Sequence, residues 1–190
     1  MSTTLSTSLG NVTAQCFGDP KGELVFALQG KSPKHDVVVE WEAACKALAA
    51  VGHYVILPNL HSNPATKPGI IDSAGVAEIC MSAVAHAGAT SLLLMGKSWG
   101  GGEAVIFAAS HRNLVMKLVL VAPSLSSPEK ISEIATLPTL LLWARDDPVK
   151  SFDLSAEYTS QLEQCSFQPT DTGGHCILEA YCQPIVAFLA

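Results

Sequence analysis

Short apolar runs alternate with longer segments of helical periodicity along most of this chain, and this alternation constrains the fold more than any other feature. Five runs have the length and composition of buried strands, at residues 22–30, 53–60, 90–95, 116–123 and 137–144. Apolar residues recur every three or four positions in five predicted helices, at residues 35–51, 72–88, 99–111, 152–164 and 177–189. Strands that alternate with helices predict a parallel sheet covered on both faces, which is a three-layer α/β architecture.

The remaining segments limit what can surround this sheet. Residues 1–20 suggest a hairpin at the sheet edge, and the run CSFQPT at 165–170 predicts a short edge strand. About 16 residues, from 122 to 137, connect two of the late strands, which leaves no room for a helical lid. A chain of 190 residues is long enough for one sizeable core, so we expect a single domain over 1–190 with no cap domain.

The charge and composition of the chain exclude several function classes. The formal net charge is -6 and the 11 Lys and Arg residues are scattered singly, so no basic footprint for nucleic acid or anionic lipid is present in the sequence. No apolar run reaches the roughly 18 residues needed to span a bilayer. The amino terminus lacks the pattern of a signal or transit peptide. We therefore expect a cytoplasmic protein that acts on a small molecule, with no nucleic acid partner and no membrane span.

The six cysteines are spread along the chain without C-x-x-C spacing. Several of them lie in apolar or helical surroundings, where a free thiol packs like a small hydrophobic side chain. A disulfide framework is uncommon at this length without secretion, so we expect free thiols.

The sequence GKSWG, residues 96–100, stands where a predicted strand ends and a predicted helix begins. In that context G-x-S-x-G is typical of a nucleophile elbow, a strained turn that holds the hydroxyl of Ser98 out at the carboxyl edge of the sheet. Gly96 and Gly100 leave space where a side chain would collide with the neighbouring strand or helix. In the structural alternative, these glycines only allow close packing and Ser98 is an ordinary helix cap.

A nucleophilic serine needs a histidine base, and the histidine needs a carboxylate to orient it. In a parallel sheet with the serine after a central strand, the acid and then the histidine should follow it, each in a loop at the carboxyl ends of the strands. His175 in TGGHC is the one histidine beyond Ser98 in such a loop, because His111 falls at the end of the elbow helix. The turn RDDPV offers two candidate acids, Asp146 and Asp147.

Acyl transfer also needs two hydrogen-bond donors aimed at the oxyanion. The residue after the nucleophile supplies one of them, which is the backbone N–H of Trp99. The second donor should come from the loop after the strand LVFAL, which reads QGKSP. In that loop the N–H of Lys31 is the first choice and the N–H of Ser32 the second.

Together these segments resemble the α/β-hydrolase family over about residues 22–190. The resemblance rests on the QG loop, the GKSWGG elbow, the LLLWARDDPV acid turn and TGGH before the last helix. It implies a mostly parallel sheet, no cofactor or metal, and hydrolysis of an ester, a thioester or a related acyl bond. Because the family places its acid immediately before a Pro-Val pair, the resemblance favours Asp147 over Asp146. It implies that Ser98, His175 and Asp147 form the catalytic triad, and that Trp99 and Lys31 donate to the oxyanion.

The chain departs from the family in three respects, one of which is its small size without a lid. The usual His-Gly before the oxyanion loop is Gln29-Gly30, and PNLHSNP at 58–64 replaces a frequent glycine-rich stretch. These changes leave the triad prediction intact and keep a rival function open, a non-catalytic hydrolase fold that senses a ligand or binds a protein. In a lidless enzyme the cleft should be shallow and open, which favours small or exposed acyl groups.

Four side chains near the predicted site have two interpretations each. Lys31 and Lys97 either pair with an acidic substrate group or are solvated loop residues, and we expect the second. Trp99 either lines the pocket or packs in the core. Cys176, next to His175, is expected to be a buried inert thiol rather than a reactive one.

Overall fold

In the computed structural model, which describes residues 1–31, 37–125, 127–176 and 179–190, the described residues form one eight-stranded sheet. The strands are β1 (Ser2–Thr7), β2 (Gly10–Phe17), β3 (Leu24–Leu28), β4 (Tyr54–Pro58), β5 (Leu92–Lys97), β6 (Val115–Val121), β7 (Thr139–Ala144) and β8 (Cys165–Thr170). Their order across the sheet is β1-β2-β4-β3-β5-β6-β7-β8. The β1–β2 and β2–β4 pairs are antiparallel and all other pairs are parallel. The amino-terminal hairpin therefore forms one edge of the sheet, as predicted, and β8 forms the other.

Helices cover both faces of this sheet. They are α1 (Val37–Ala50), α2 (Ser73–Ala87), α3 (Trp99–Ser110), α4 (Lys130–Glu133), α5 (Ser155–Thr159) and α6 (Cys182–Leu189). Helices α1 and α6 pack with one set of strand side chains, while α2, α3, α4 and α5 pack with the other set. All residues of β3, β5 and β7 are buried, which explains why these strands are continuous apolar runs rather than alternating ones.

The link between β6 and β7 carries no cap domain in its described residues, where the four-residue α4 is the only helix. Among the described residues, none of the helices combines the length and apolar character needed to cross a membrane. All six cysteines are free thiols.

Two predicted helices are shorter in the structure. The segment 152–164 forms a 3₁₀ turn, Phe152–Leu154, followed by the five residues of α5. Only Tyr158 and Leu162 of its apolar positions are deeply buried, so the segment lacks the continuous stripe that would extend the helix. The last helix begins at Cys182 after a 3₁₀ turn at Glu179–Tyr181. Its predicted start at 177, like the predicted start of the first helix at 35, lies outside the described residues.

The parallel strands bring several loops to one edge of the sheet. The carboxyl ends of β3, β5, β7 and β8 lead directly into residues 29–31, 98, 145–149 and 171–176. These four segments contain every side chain and backbone donor that the sequence assigned to the site, except Ser32, which lies outside the described residues, and the Trp99 N–H that follows Ser98. The topology therefore gathers them at the edge where parallel sheets hold their ligands.

Candidate active site

Ser98 sits at the sharp turn between β5 and α3 with φ 52° and ψ -122°. A positive φ is costly for a residue with a side chain, by roughly 1–3 kcal/mol. Backbone hydrogen bonds hold the turn in place, since the Ser98 N–H donates to the carbonyl of Val121 over 2.9 Å and its carbonyl accepts from the Ser124 N–H over 2.7 Å. The neighbouring strand β6 thus fixes the conformation of this residue.

The two flanking glycines are required because α3 approaches the sheet closely. A Cβ on Gly96 would collide with the carbonyl of Gly100. A Cβ on Gly100 would lie 2.5 Å from the carbonyl oxygen of Leu28 and still closer to that of Gln29. The close approach that the sequence suggested for these positions is therefore present.

The hydroxyl of Ser98 is not used as a helix cap. Ser98 occupies the N-cap position of α3, yet its side chain makes no capping hydrogen bond with the described residues. Instead Ser98 lines a cavity at the carboxyl edge of the sheet. The capping alternative for this serine is wrong, and the residue borders a space that a ligand can enter.

His175 and Asp147 are hydrogen bonded to each other although 28 positions separate them. The Nδ1 of His175 lies 2.7 Å from Oδ2 of Asp147, and the Asp147 side chain has no exposed surface. Because a carboxylate only accepts, Nδ1 carries the proton and Nε2 is left as the basic nitrogen. This Nε2 is buried and has no hydrogen-bond partner among the described residues.

The two neighbouring aspartates of the acid turn have different partners. Oδ1 of Asp147 accepts the N–H groups of Val149 and Lys150, each over 2.8 Å, so both of its oxygens are satisfied. Oδ1 of Asp146 accepts the N–H of Gly174 over 2.8 Å, which ties the acid turn to the loop that carries the histidine. The structure therefore pairs the ring of His175 with Asp147, whereas Asp146 bonds to the backbone of the loop that carries the histidine.

A neutral phenol lies near these carboxylates. Burial raises the pKa of Tyr181, whose hydroxyl is 3.1 Å from the hydroxyl of Thr170, and the charges of Asp147 and Asp146 raise it further. The phenol stays protonated at neutral pH, so it adds no negative charge beside the acid turn.

Ser98 and His175 line the same cavity, which has a volume of about 590 Å³. Eight further described residues line it: Gln29, Gly30, Lys31, Glu40, Lys97, Pro148, Val149 and Cys176. The cavity is large enough for a small organic ligand. The residues that carry the unpartnered Nε2 and the uncapped hydroxyl therefore border one ligand-sized cavity.

The predicted oxyanion donors lie beside Ser98. Trp99 is the first residue of α3, and the N–H groups of a helix's first turn have no acceptor within the helix. Gly30 lies against Ser98, because a Cβ placed on it would be 3.4 Å from the Ser98 Cβ. Lys31 follows Gly30 in the cavity wall, while the alternative donor Ser32 lies outside the described residues.

The structure corrects two expectations about nearby side chains, those for Lys97 and Cys176, and decides between the two interpretations of Trp99. Lys97 is not solvated: it is 6% exposed and forms an ion pair with Glu40 of α1. Cys176 is exposed rather than buried, because it stands on the rim of the cavity. The indole of Trp99 packs against the hydrophobic core, which is the second of its two interpretations.

Sequence reasoning did not place Glu40 in the site and gave Gln29 no role there. Glu40 reaches the cavity because α1 packs beside the end of β5, a tertiary contact with no local signal in the sequence. Gln29 had a signal, its departure from the usual His-Gly pair. Among the described residues, no group of three or more His, Cys, Asp or Glu side chains is arranged to hold a metal ion.

Comparisons with known proteins agree with this architecture. No protein-family model matches the sequence, and no curated protein matches it in sequence. A protein described as a predicted CIB-like hydrolase from Thermoplasma acidophilum is similar in structure, with TM-score 0.85, 20% identity, and coverage of 100% of this chain and 97% of the other. Est1E from Butyrivibrio proteoclasticus has TM-score 0.83 and 14% identity, with coverage of 99% and 97%.

A third similar structure is an alpha/beta hydrolase from a metagenome of lagoon sediments at Mar Chica, Morocco. Its TM-score is 0.72 at 17% identity, and the match covers 94% of this chain and 92% of the other. Likeness at such identities establishes the fold. This chain therefore has the α/β-hydrolase fold with a mostly parallel sheet, as predicted, and its described residues form no cap domain.

Proposed function

We propose that this protein is a serine hydrolase that cleaves a small or exposed carboxylic ester or thioester through an acyl-enzyme. The observation that carries the proposal is the His175–Asp147 hydrogen bond at 2.7 Å, which leaves Nε2 as the basic nitrogen of a histidine that lines the same cavity as Ser98. A serine hydroxyl is a weak nucleophile unless a base takes its proton. A histidine whose ring is oriented by a carboxylate can act as that base. The fold, shared with proteins named as hydrolases, is consistent with this chemistry.

In the proposed reaction, Nε2 of His175 takes the hydroxyl proton of Ser98 as Oγ attacks the acyl carbon. Asp147 stabilises the resulting imidazolium through the Nδ1–H bond without taking its proton. The N–H groups of Trp99 and Lys31 donate to the oxyanion, where loss of one donor typically costs about 3 kcal/mol. The imidazolium then protonates the departing alcohol or thiol. A water molecule, activated by the same nitrogen, hydrolyses the acyl-enzyme and frees the carboxylic acid.

The preference for small acyl groups follows from the short link between β6 and β7. The described residues of that link form only the short helix α4, so they supply no helical lid to enclose a long acyl chain. We expect activity to fall steeply from acetyl or butyryl esters to palmitoyl esters of the same alcohol. Equal or greater activity on the palmitoyl ester would contradict this part of the proposal.

The central test is labelling with a fluorophosphonate probe, with Ser98→Ala as the comparison. The wild-type protein should be labelled and the variant should not. In a steady-state ester assay the variant should lose on the order of 10⁶ in kcat. Equal labelling of both proteins, or labelling of neither, would favour the rival function, a non-catalytic fold that binds a ligand or a protein.

A further inference from the structure

The loops on the two sides of Ser98 present different chemistry to the cavity. Strand β5, which leads into Ser98, lies between β3 and β6, and β7 and β8 follow beyond β6. On the β3 side and at the end of β5, the described lining residues include three with charged side chains: Lys31, Glu40 and Lys97. The described lining residues after β7 and β8 carry neither a carboxylate nor an ammonium group; they are Pro148, Val149, His175 and Cys176.

Val149 is anchored on this second side of the cavity. It lines the cavity and is 61% exposed, so a ligand can reach it. Its N–H donates to Oδ1 of Asp147 over 2.8 Å, while Oδ2 of the same carboxylate bonds to His175. A single exposed valine is ordinary on a protein surface, but this one is tied to the acid that orients the proposed base.

Pro148 extends the same apolar wall towards the histidine loop. A Cβ placed on Gly174, the residue before His175, would lie 3.8 Å from Cδ of Pro148. The side chains of Pro148 and Val149 therefore stand between the acid turn and the histidine loop, and both residues line the cavity.

The proposed reaction directs the leaving group to this wall. The N–H groups of Trp99 and Lys31 draw the carbonyl oxygen of the substrate towards the start of α3 and the loop after β3. The departing alcohol or thiol takes its proton from His175, so it must lie on the side of the loops after β7 and β8. The leaving group therefore meets the part of the described wall that has no fixed charge.

We propose that Val149, together with Pro148, is a specificity-determining residue that binds the alcohol or thiol portion of the substrate, and that this portion is apolar. The inference rests on the proposed serine hydrolase function and adds the class of leaving group to it. Contact with Val149 removes hydrocarbon surface of the leaving group from water, which favours formation of the acyl-enzyme. A charged leaving group gains no ion pair from the described residues of this wall.

Three esters test the proposal on the wild-type protein: ethyl acetate, hexyl acetate and ethyl hexanoate. The last two are isomers, with the longer chain on the alcohol in hexyl acetate and on the acid in ethyl hexanoate. Full burial of one methylene group corresponds to roughly fourfold in an equilibrium constant, and a wall open to solvent should give about twofold. We expect kcat/KM for hexyl acetate to exceed that for ethyl acetate by about tenfold or more. A ratio near one would overturn the proposal.

The variant Val149→Thr separates recognition from a structural role. It keeps the shape of the side chain and the N–H that bonds to Asp147, and it replaces a methyl group by a hydroxyl. The ratio of kcat/KM between hexyl acetate and ethyl acetate should fall by about threefold, whereas the ratio between ethyl hexanoate and ethyl acetate should not change. An equal loss on all three esters would show that Val149 only supports the acid turn. A loss confined to ethyl hexanoate would place Val149 on the acyl side, and either result would overturn the proposal.

The matched control is Val51→Thr, at a valine that directly follows α1 and is 54% exposed. Val51 does not belong to the described lining of the cavity, so this variant should keep both ratios at their wild-type values.

Fluorophosphonate labelling distinguishes failure of this inference from failure of the proposed function, because the probe reports an activated serine without an alcohol as leaving group. A wild-type protein that is labelled but hydrolyses hexyl acetate no faster than ethyl acetate would keep the proposed function and overturn this inference. A protein that is neither labelled nor active on the three esters would overturn both.

Discussion

The two halves of the candidate site are held together by different kinds of contact. The elbow arm, residues 96–100, is fixed by close backbone packing and by backbone hydrogen bonds to β6 and the segment after it. The acid–histidine arm, residues 146–149 and 173–175, is fixed by carboxylates that bind a ring nitrogen and three backbone N–H groups. We infer that substitutions in the elbow arm do damage through steric collision, whereas substitutions in the acid–histidine arm do damage through the loss of single hydrogen bonds.

Within the acid–histidine arm, the largest effect is expected from Asp147→Asn. Asparagine still accepts from the N–H groups of Val149 and Lys150, but its amide no longer offers a carboxylate to Nδ1 of His175, so the ring adopts the wrong tautomer. We expect kcat for an ester to fall by about 10⁴, which corresponds to about 5 kcal/mol of barrier. Steady-state kinetics at saturating ester measure this loss.

The same substitution one residue earlier is the matched control. Asp146→Asn keeps the Oδ1 that accepts from Gly174, so the loop of the histidine should hold its place. We expect less than about a tenfold loss in kcat. If Asp146→Asn were as damaging as Asp147→Asn, the hydrogen bond at 2.7 Å would not identify the working acid.

The sequence predicted the two arms unequally well, for a physical reason. The elbow is a local motif, because a strand, two glycines and a helix within a few residues determine its geometry. The choice between Asp146 and Asp147 needed a resemblance, because two adjacent carboxylates in one turn differ only in which way the backbone directs them. The pairing of Asp147 with His175 depends on the parallel alignment of β7 and β8, which no local pattern encodes.

In the rest of the fold, too, the elements with a local sequence signal were predicted and the contacts that depend on the packing of the whole chain were not. Strands β3, β5 and β7 were predicted because both of their faces are buried, so every residue in them except Lys97 at the end of β5 is apolar or small. Helix α5 was predicted to be longer than it is, because periodic apolar residues indicate a helix even where only some of them are buried in the core. Glu40 was missed because a helix surface reaches a cavity only through packing of the whole chain. That a serine hydrolase uses this site stays a prediction.

In the elbow arm, Gly100→Ala is expected to act on stability first. Its Cβ would fall on the carbonyl groups of Leu28 and Gln29, which are backbone atoms and cannot rotate away. We expect the free energy of unfolding to drop by about 3 kcal/mol, measured by denaturant titration.

Gly88→Ala, at the carboxyl end of α2, serves as the matched control for that variant. Gly88 has φ 60° and nothing lies within 4 Å of its missing Cβ, so alanine there meets only backbone strain. The expected cost is roughly 1–2 kcal/mol. Equal costs for both variants would mean that the elbow yields to a side chain, and the steric account of this arm would be wrong.

The smallest effect is expected at a carboxylate on α3, the helix that follows the elbow arm, and it contrasts with the fully bonded carboxylate of the acid–histidine arm. Whereas Asp147 has both oxygens bonded, Oε2 of Glu103 in α3 is buried without a partner among the described residues. Desolvation by burial raises the pKa of Glu103, a hydrogen bond from Ser73 opposes this, and the charge of Asp72 raises it further.

The raised pKa of Glu103 fixes the sign of its effect on stability. Between the ordinary glutamate pKa and the raised one, the folded protein keeps a proton that the unfolded chain releases, so stability falls as pH rises through that window. Glu103→Gln is neutral at every pH and should therefore stabilise the protein at about pH 7, by up to about 1 kcal/mol, and bring little change at about pH 4. Thermal unfolding at both pH values measures the difference. A variant less stable than wild type at about pH 7 would show that the ionised Glu103 contributes favourably to α3, the helix that follows the elbow arm, and that this carboxylate, like Asp147, is stabilised in its charged form.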